Sequence, residues 1–281
     1  MKTSWLKQSA LLAWPGFLLI SLAAFPFLLL LRISLAPYDP AGLWAEGFTL
    51  SAYRALVQPE VFGAILNGIE LSASVAAASL ILGFPLTYFI TRMRRRAQIL
   101  WLILLLTTLT LSDVLIAFAW QVMLSKKIGL SNILVMLGIM AEPMSLTPSR
   151  GAVLSCLIYL MLPFSVLTLY PSLSRLDNSL VEAARTMGAS PFKAFFSVIV
   201  PMARAPATMT VLLAIIFTMG AYAPPIVLGA PKQWPLAVLI GSTAQAGHDL
   251  PRAAAMAVLL MLATATIALF TLLLTGRKKR L

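Results

Sequence analysis

Six stretches of this chain are apolar over lengths that suit a membrane-spanning helix, which needs about 20 residues. The stretches cover residues 10–31, 64–91, 99–124, 151–174, 202–228 and 253–275. Their apolar residues form continuous runs instead of the alternation that is typical of a membrane β-barrel. Since 60% of the residues are hydrophobic and only 11% are charged, the composition excludes an ordinary soluble enzyme, a disordered chain and a disulfide-rich secreted domain. We therefore expect an all-α integral membrane protein, with six transmembrane helices in a single transmembrane domain over residues 1–281.

The basic residues are distributed unevenly between the two sides of the expected membrane. An even number of spans places both termini on one side, and fourteen of the 21 Lys and Arg residues fall on that side. The positive-inside rule therefore predicts that both termini are cytoplasmic, in a multi-pass protein of the bacterial inner membrane. The net charge of +12 is explained by this topology, so no nucleic-acid partner is expected. Membrane lipid is an expected partner, because the Arg94–Arg96 run can contact lipid phosphates.

The chain lacks the residues that catalysis or metal binding inside a membrane would require. It contains one histidine, His248, and one cysteine, Cys156, so neither a metal cluster nor an intramolecular disulfide is expected. No G-x-x-x-x-G-K-[ST] loop is present to hold ATP phosphates. We therefore expect no enzyme activity and no cofactor, with any ATP bound by a partner subunit.

One polar loop, residues 176–201, carries a sharp local pattern between the fourth and fifth apolar stretches. Ser179 and Glu182 have the S-x-x-E spacing of a capping box, which favours a helix start. Gly188 suits the left-handed residue that ends a helix, and Ser190 with the following proline suits the start of another. The pattern predicts two short helices joined at Gly188.

Both predicted helices have an apolar face. Leu180, Ala184 and Met187 share one face of the first helix. An i, i+3, i+4, i+7 stripe marks the second helix: Phe192, Phe195, Phe196 and Ile199. These faces either pack on the chain's own membrane domain or dock in a groove of a partner protein. Pro201 is expected to start the fifth span.

Seven residues of this loop match a known pattern: Glu182, Ala183, Ala184, Gly188, Val198, Val200 and Pro201. Their order and spacing resemble the EAA motif of permease subunits of binding-protein-dependent ABC importers, with valines in place of Ile and Leu. The resemblance implies the six-helix architecture of a type I ABC importer permease, with a cytoplasmic two-helix coupling loop. It also implies that Glu182, Ala183, Ala184, Gly188 and Pro201 couple the permease to an ATPase. A stand-alone secondary transporter, the less favoured alternative, would need no such loop.

The resemblance also implies partners and a substrate class. The expected assembly contains an ATP-binding subunit dimer, a second permease that is homologous or identical, and a periplasmic solute-binding protein. Residues 80–92, 160–190 and 225–229 look closest to the spermidine/putrescine branch, which makes a polyamine the first choice of substrate. Ile116 and Ile226 depart from that branch, which usually has an Arg at the first position and commonly an acidic residue at the second. Importer permeases for an aminophosphonate, an opine-like compound or ferric ion therefore stay open.

Two acidic residues fall within the predicted spans. Charged groups inside a membrane cost roughly several kcal/mol and are usually functional. Asp113 is therefore a candidate for the translocation path, where it would favour a cation, although a helix-end position after the preceding Thr-rich stretch is the alternative. Glu70 lies near the outer end of the second span, where an interfacial position is favoured over a role in the path.

Overall fold

A computed structural model describes residues 2–40, 44–127, 129–139, 141–176 and 178–276 of the chain. The described residues form helices and connecting loops, with no β-strand among them. The α-helices are α1 Lys2–Ser34, α2 Ser51–Arg54, α3 Pro59–Arg92, α4 Arg95–Leu109, α5 Asp113–Met123, α6 Leu130–Met136, α7 Arg150–Leu173, α8 Asn178–Thr186, α9 Pro191–Ala194, α10 Val200–Met202, α11 Arg204–Met219, α12 Ala223–Leu228, α13 Leu236–Gln245 and α14 Leu250–Gly276. A π-helical turn, Phe195–Ile199, joins α9 to α10. The predicted all-α fold class is confirmed.

Several of these helices are long and apolar enough to cross a bilayer. Within the described residues, α3, α7 and the Leu250–Leu273 part of α14 qualify as single helices. Two bent helix pairs raise this number to as many as five if each pair is one span. Helix α1 covers the first predicted stretch. The chain is thus multi-pass, and the count of six spans stays a prediction.

The predicted third span, 99–124, is not one continuous helix. It divides into α4 and α5, whose axes differ in direction by 96°. The hydroxyls of Thr107, Thr108 and Thr110 each donate a hydrogen bond back to a carbonyl three or four residues earlier. Such bonds compete with the helical ladder and favour bending. Ser112 then takes an extended backbone, and a new helix begins at Asp113.

The predicted fifth span, 202–228, is also too long. The helix that crosses this region, α11, ends at Met219. Residues 220–222 separate it from α12, whose first turn contains Pro224 and Pro225. Prolines lack the N–H that a helix interior needs, but they are tolerated in a first turn. The two prolines therefore begin a short helix instead of continuing a long one.

The chain forms two compact units. One unit consists of Met1–Phe62 and Leu239–Met261, and in it the Ser34 hydroxyl lies 2.8 Å from the Tyr53 hydroxyl. The other consists of Gly63–Val238 and Leu262–Leu281. In this second unit α7 is central, since α4, α5, α11 and α12 all pack against it. That residues 1–281 make a single transmembrane domain stays a prediction.

Candidate functional site

The loop between α7 and α11 folds as a helical hairpin, which we define as residues 178–202. Its first helix, α8, ends at a glycine in the left-handed region, since Gly188 has φ +86°. The N–H of Ala189 donates to the Ala184 carbonyl at 3.0 Å, and the N–H of Gly188 donates to the Arg185 carbonyl at 3.0 Å. This pair of bonds is a Schellman motif, which satisfies the last carbonyls of a helix and reverses the chain. The predicted bend at Gly188 is confirmed.

The second helix of the hairpin begins as predicted, whereas the first does not. The Ser190 hydroxyl accepts a hydrogen bond from the Lys193 N–H at 3.2 Å, and Pro191 occupies the first helical position. Helix α8 begins at Asn178, so Ser179 lies inside the helix. The predicted capping box at Ser179 and Glu182 is therefore wrong, because a capping residue must precede the first turn.

One side of the hairpin is buried against the chain's own membrane helices. Ile199 and Ala203 are buried in a cluster with Phe84 of α3 and with Leu169 and Leu173 of α7. Val181 and Phe195 pack against the same cluster. The Phe195 ring meets the rings of Phe84 and Tyr88 edge-on, with both centroid distances at 5.5 Å. The hairpin is thus anchored to α3 and α7 by side chains from both of its helices.

The other side of the hairpin is exposed. Met187 is 82% exposed and Phe192 is 74% exposed, and Leu180 and Phe196 are exposed as well. Glu182 and Ala183 are also exposed, whereas Ala184 is buried. The predicted face of Leu180, Ala184 and Met187 is therefore divided, and so is the phenylalanine stripe of the second helix. Packing on the chain's own membrane domain, the first of the two sequence alternatives, describes the buried side, whereas docking of the exposed side on a partner stays a prediction.

Pro201 does not start the fifth span. It lies within the short helix α10, and the direction of the chain changes by 74° before α11 begins at Arg204. A continuous helix would require a bond from residue 206 to the Met202 carbonyl, but Pro206 has no N–H and its ring would clash there. The helix therefore breaks at Ala203, and Pro201 belongs to the hairpin.

Asp113, the candidate path residue, is the first residue of α5. Its side chain is exposed, and among the described residues it has no ion-pair partner. An acidic residue in a first turn also stabilises the helix through the helix dipole, typically by about 0.3–1 kcal/mol. This position agrees with the helix-end alternative for Asp113. Because its carboxylate has no ion-pair partner among the described residues, Asp113 is also available to bind a cation.

The sequence did not reveal an ion pair between α3 and α7. A distance of 2.8 Å separates Glu70 Oε2 from Arg150 Nη2, and both side chains are partly exposed. One helical turn earlier, the Asn67 amide donates to the Lys232 carbonyl at 3.0 Å. Glu70 and Arg150 are 80 positions apart in the sequence, and no local pattern predicts that two such distant residues will meet. Exposed pairs of this kind contribute about 0–1 kcal/mol, so it orients side chains more than it stabilises the fold.

The chain contains few side chains that bind metal ions well, with one histidine and one cysteine. No group of three or more His, Cys, Asp or Glu side chains that could hold a metal occurs in the part of the chain that the structure describes. That the chain needs no cofactor of its own stays a prediction.

The fold and the hairpin together define a polytopic helical membrane protein with a polar helical hairpin between two of its membrane helices. The family described as "Binding-protein-dependent transport system inner membrane component" matches residues 78–280, and the chain belongs to this family. It is a permease subunit of an ABC importer and a multi-pass protein of the inner membrane. The resemblance that the loop motif indicated is confirmed.

Individual relatives and solved structures agree with this family. The chain is 29% identical over 224 residues to the spermidine/putrescine transport system permease protein PotB of Escherichia coli (strain K12), which covers 80% of each chain. It is 29% identical over 279 residues to the inner membrane ABC transporter permease protein YcjO of the same strain, covering 96% of this chain and 92% of that one. A crystal structure of a bacterial alginate ABC transporter, in complex with its alginate pentasaccharide-bound periplasmic protein, matches with a TM-score of 0.79 at 16% identity. That match covers 99% of this chain and 96% of the other, and it supports the fold alone.

Proposed function

We propose that this chain forms half of the translocation path of an importer for a polyamine-type cation, and that its hairpin docks on an ATPase subunit. The observation that carries the docking proposal is the two-sided hairpin, which is anchored on one side and open on the other. The open side of α8 presents Leu180, Glu182, Ala183 and Met187. An amphipathic helix with such a face fits a groove in a partner protein.

The buried side of the hairpin explains how a partner's motion reaches the membrane. Ile199 and Phe195 contact residues of α3 and α7, and Ala203 and Ala207 continue the same cluster into α11. Packed side chains resist compression, so a displacement of the hairpin moves the helices attached to it. Rigid-body rearrangement of packed helices is an established way to alternate access to a path.

The remaining partners follow from the family and from the charge distribution. ATP hydrolysis is supplied by a dimer of ATP-binding subunits, and a second permease, homologous or identical, completes the path. A periplasmic solute-binding protein delivers the substrate. The similar alginate transporter was crystallised in complex with a periplasmic protein that carries an alginate pentasaccharide. The positive-inside rule puts both termini and the hairpin in the cytoplasm, which is the side where ATP is available.

Co-purification tests the docking proposal directly. When the tagged chain is expressed in its native host and extracted from the membrane in mild detergent, we expect an ATP-binding subunit to be retained with it. ATP hydrolysis should be measurable in the complex and absent from the isolated chain. A stable permease that transports solute without any nucleotide-hydrolysing subunit would favour a secondary transporter instead.

The polyamine assignment rests on the similarity to spermidine/putrescine permeases and on Asp113. The two departures from the polyamine branch weigh against it; Ile116 is buried and Ile226 is half-buried.

Replacing Asp113 by Asn is expected to weaken the uptake of a cationic substrate. A hydrogen bond to a charged group contributes about 1.5–3 kcal/mol, so the KM for spermidine should rise roughly tenfold or more. The measurement is the uptake of radiolabelled spermidine, with Glu142→Gln as the control at another exposed carboxylate. Unchanged KM and maximal rate at equal protein levels would remove Asp113 from the path, and uptake of a phosphonate instead would overturn the polyamine assignment.

A further inference from the structure

A cleft of about 400 Å³ lies between the last turns of α3 and the hairpin. Its two walls are formed mainly by Pro85, Tyr88 and Phe89 of α3 and by Phe192 and Phe196 of the hairpin. Phe89 is 62% exposed, so this wall is not filled by the chain itself. Arg185 is the one charged side chain among the described residues that line the cleft. The cleft is thus apolar inside and basic at its edge.

The α3 wall continues as a stripe along the membrane helix. Ile81, Pro85, Tyr88 and Arg92 have the i, i+4, i+7, i+11 spacing that places residues on one side of a helix. Ile81 is 70% exposed, and Arg92 is the last residue of α3. The Arg92 guanidinium lies 4.9 Å from the centroid of the Tyr88 ring. From the middle of the helix to its end, the stripe changes from aliphatic to aromatic to cationic, which is the order of the layers in one leaflet of a membrane.

We propose that this cleft binds an anionic phospholipid. Arg92 and Arg185 hold the phosphate, and one acyl chain lies along the exposed stripe past Phe89 and Pro85 to Ile81. A basic site at the end of a membrane helix is attracted to the anionic lipids of the cytoplasmic leaflet. The bound lipid joins the hairpin to α3 on the side where no protein side chain fills the gap.

A soluble protein segment fits this surface less well than a lipid does. Ile81 precedes Arg92 by eleven residues, so it lies about 16 Å deeper along the helix axis. That depth belongs to the hydrocarbon layer, which a water-soluble subunit does not enter, because its backbone polar groups would be left without partners. The acyl chain of a lipid carries no polar groups, so it can lie at this depth without leaving any hydrogen-bonding group unpaired.

Native mass spectrometry of the assembled importer tests the proposal. The complex is extracted from membranes that contain phosphatidylglycerol and phosphatidylethanolamine, and the lipids that remain bound are counted. Arg92→Gln is expected to lower the retention of phosphatidylglycerol about fivefold, as for the loss of one basic residue at an anionic surface. The matched control is Arg96→Gln, which removes the same charge from an exposed residue of α4, outside the α3 stripe that ends at Arg92, and should leave lipid retention unchanged.

A second variant tests the apolar wall without changing a charge. Phe192 is largely exposed, so Phe192→Ser leaves the buried cluster intact and is expected to lower phosphatidylglycerol retention as well. Equal retention in the Arg92→Gln and Arg96→Gln variants would overturn the lipid site. So would a Phe192→Ser complex that keeps its lipid and sheds the ATPase, since the cleft would then belong to the protein partner. Lipid retention is measured without any transported solute. A result that overturns the lipid site is therefore distinguishable from one that overturns the proposed transport function.

Discussion

Replacing Gly188 by Val is expected to abolish solute uptake while the protein stays in the membrane at normal levels. The φ of +86° at Gly188 lies in the left-handed region, which costs an L residue about 1–2 kcal/mol and a β-branched residue more. Apart from the two neighbouring residues, no atom of the described chain lies within 4 Å of the place where a Cβ would stand, so the effect comes from the backbone and not from a clash. Losing the bend removes the Ala189 to Ala184 hydrogen bond and reorients α8 with its exposed face. Uptake of labelled substrate and immunoblotting of membranes measure the two parts of this result.

The matched control at the same position is Gly188→Asn. Asparagine tolerates the left-handed conformation and is found at helix ends of this type, so most of the uptake should be retained. Normal transport by a stably expressed Gly188→Val variant would show that the bend is not needed for coupling.

Reversing the charge of Glu182 is expected to uncouple the permease from its ATPase. Glu182 is exposed in the middle of α8, and no ion-pair partner for it is found across the described part of the chain. The Glu182→Lys variant should therefore fold normally. A carboxylate presented on a docking face meets a complementary charge on the partner, and like charges facing each other there cost several kcal/mol. We expect the loss of both solute uptake and ATPase retention in the purified complex.

An exposed acid outside the hairpin provides the control for this variant. Glu142→Lys changes the net charge by the same amount and should leave the complex and its uptake intact. If Glu182→Lys retained the ATPase and transported solute normally, the docking face would have to lie elsewhere on the hairpin.

The division of the second hairpin helix between two environments is central to both predictions. Phe195 and Ile199 are held by membrane helices of the same chain, while Phe192 and Phe196 face the cleft beside α3. A π-helical turn runs through this segment, and such turns shift the register of side chains and occur often at functional sites. Both environments lie on the membrane side of the hairpin, so the exposed residues of α8 are the ones left for the proposed docking.

The signals that predicted the hairpin are contained within a few consecutive residues. The bend at Gly188 needs only a residue without a Cβ, and the second helix needs only Ser190 and the proline after it. The breaks inside the apolar spans also have local causes. The threonines at 107–110 favour the break between α4 and α5, and Pro206 favours the break before α11. Because both stretches are apolar throughout, hydropathy alone did not predict either break. The first helix was placed a residue or two late, because Ser179 and Glu182 matched a capping pattern that the structure does not use.

The sequence by itself determined the membrane-spanning helical class, the hairpin and its glycine bend, and the family resemblance, because each depends on composition or on residues close together in the chain. Only the tertiary structure decided which half of the phenylalanine stripe is buried, and that Glu70 pairs with Arg150. It also decided that Pro201 precedes a 74° bend instead of starting a span. The burial of Ile199 depends on where Phe84 and Leu169 are brought by helices far away in the chain, and helical periodicity alone cannot tell which of two apolar faces will meet them.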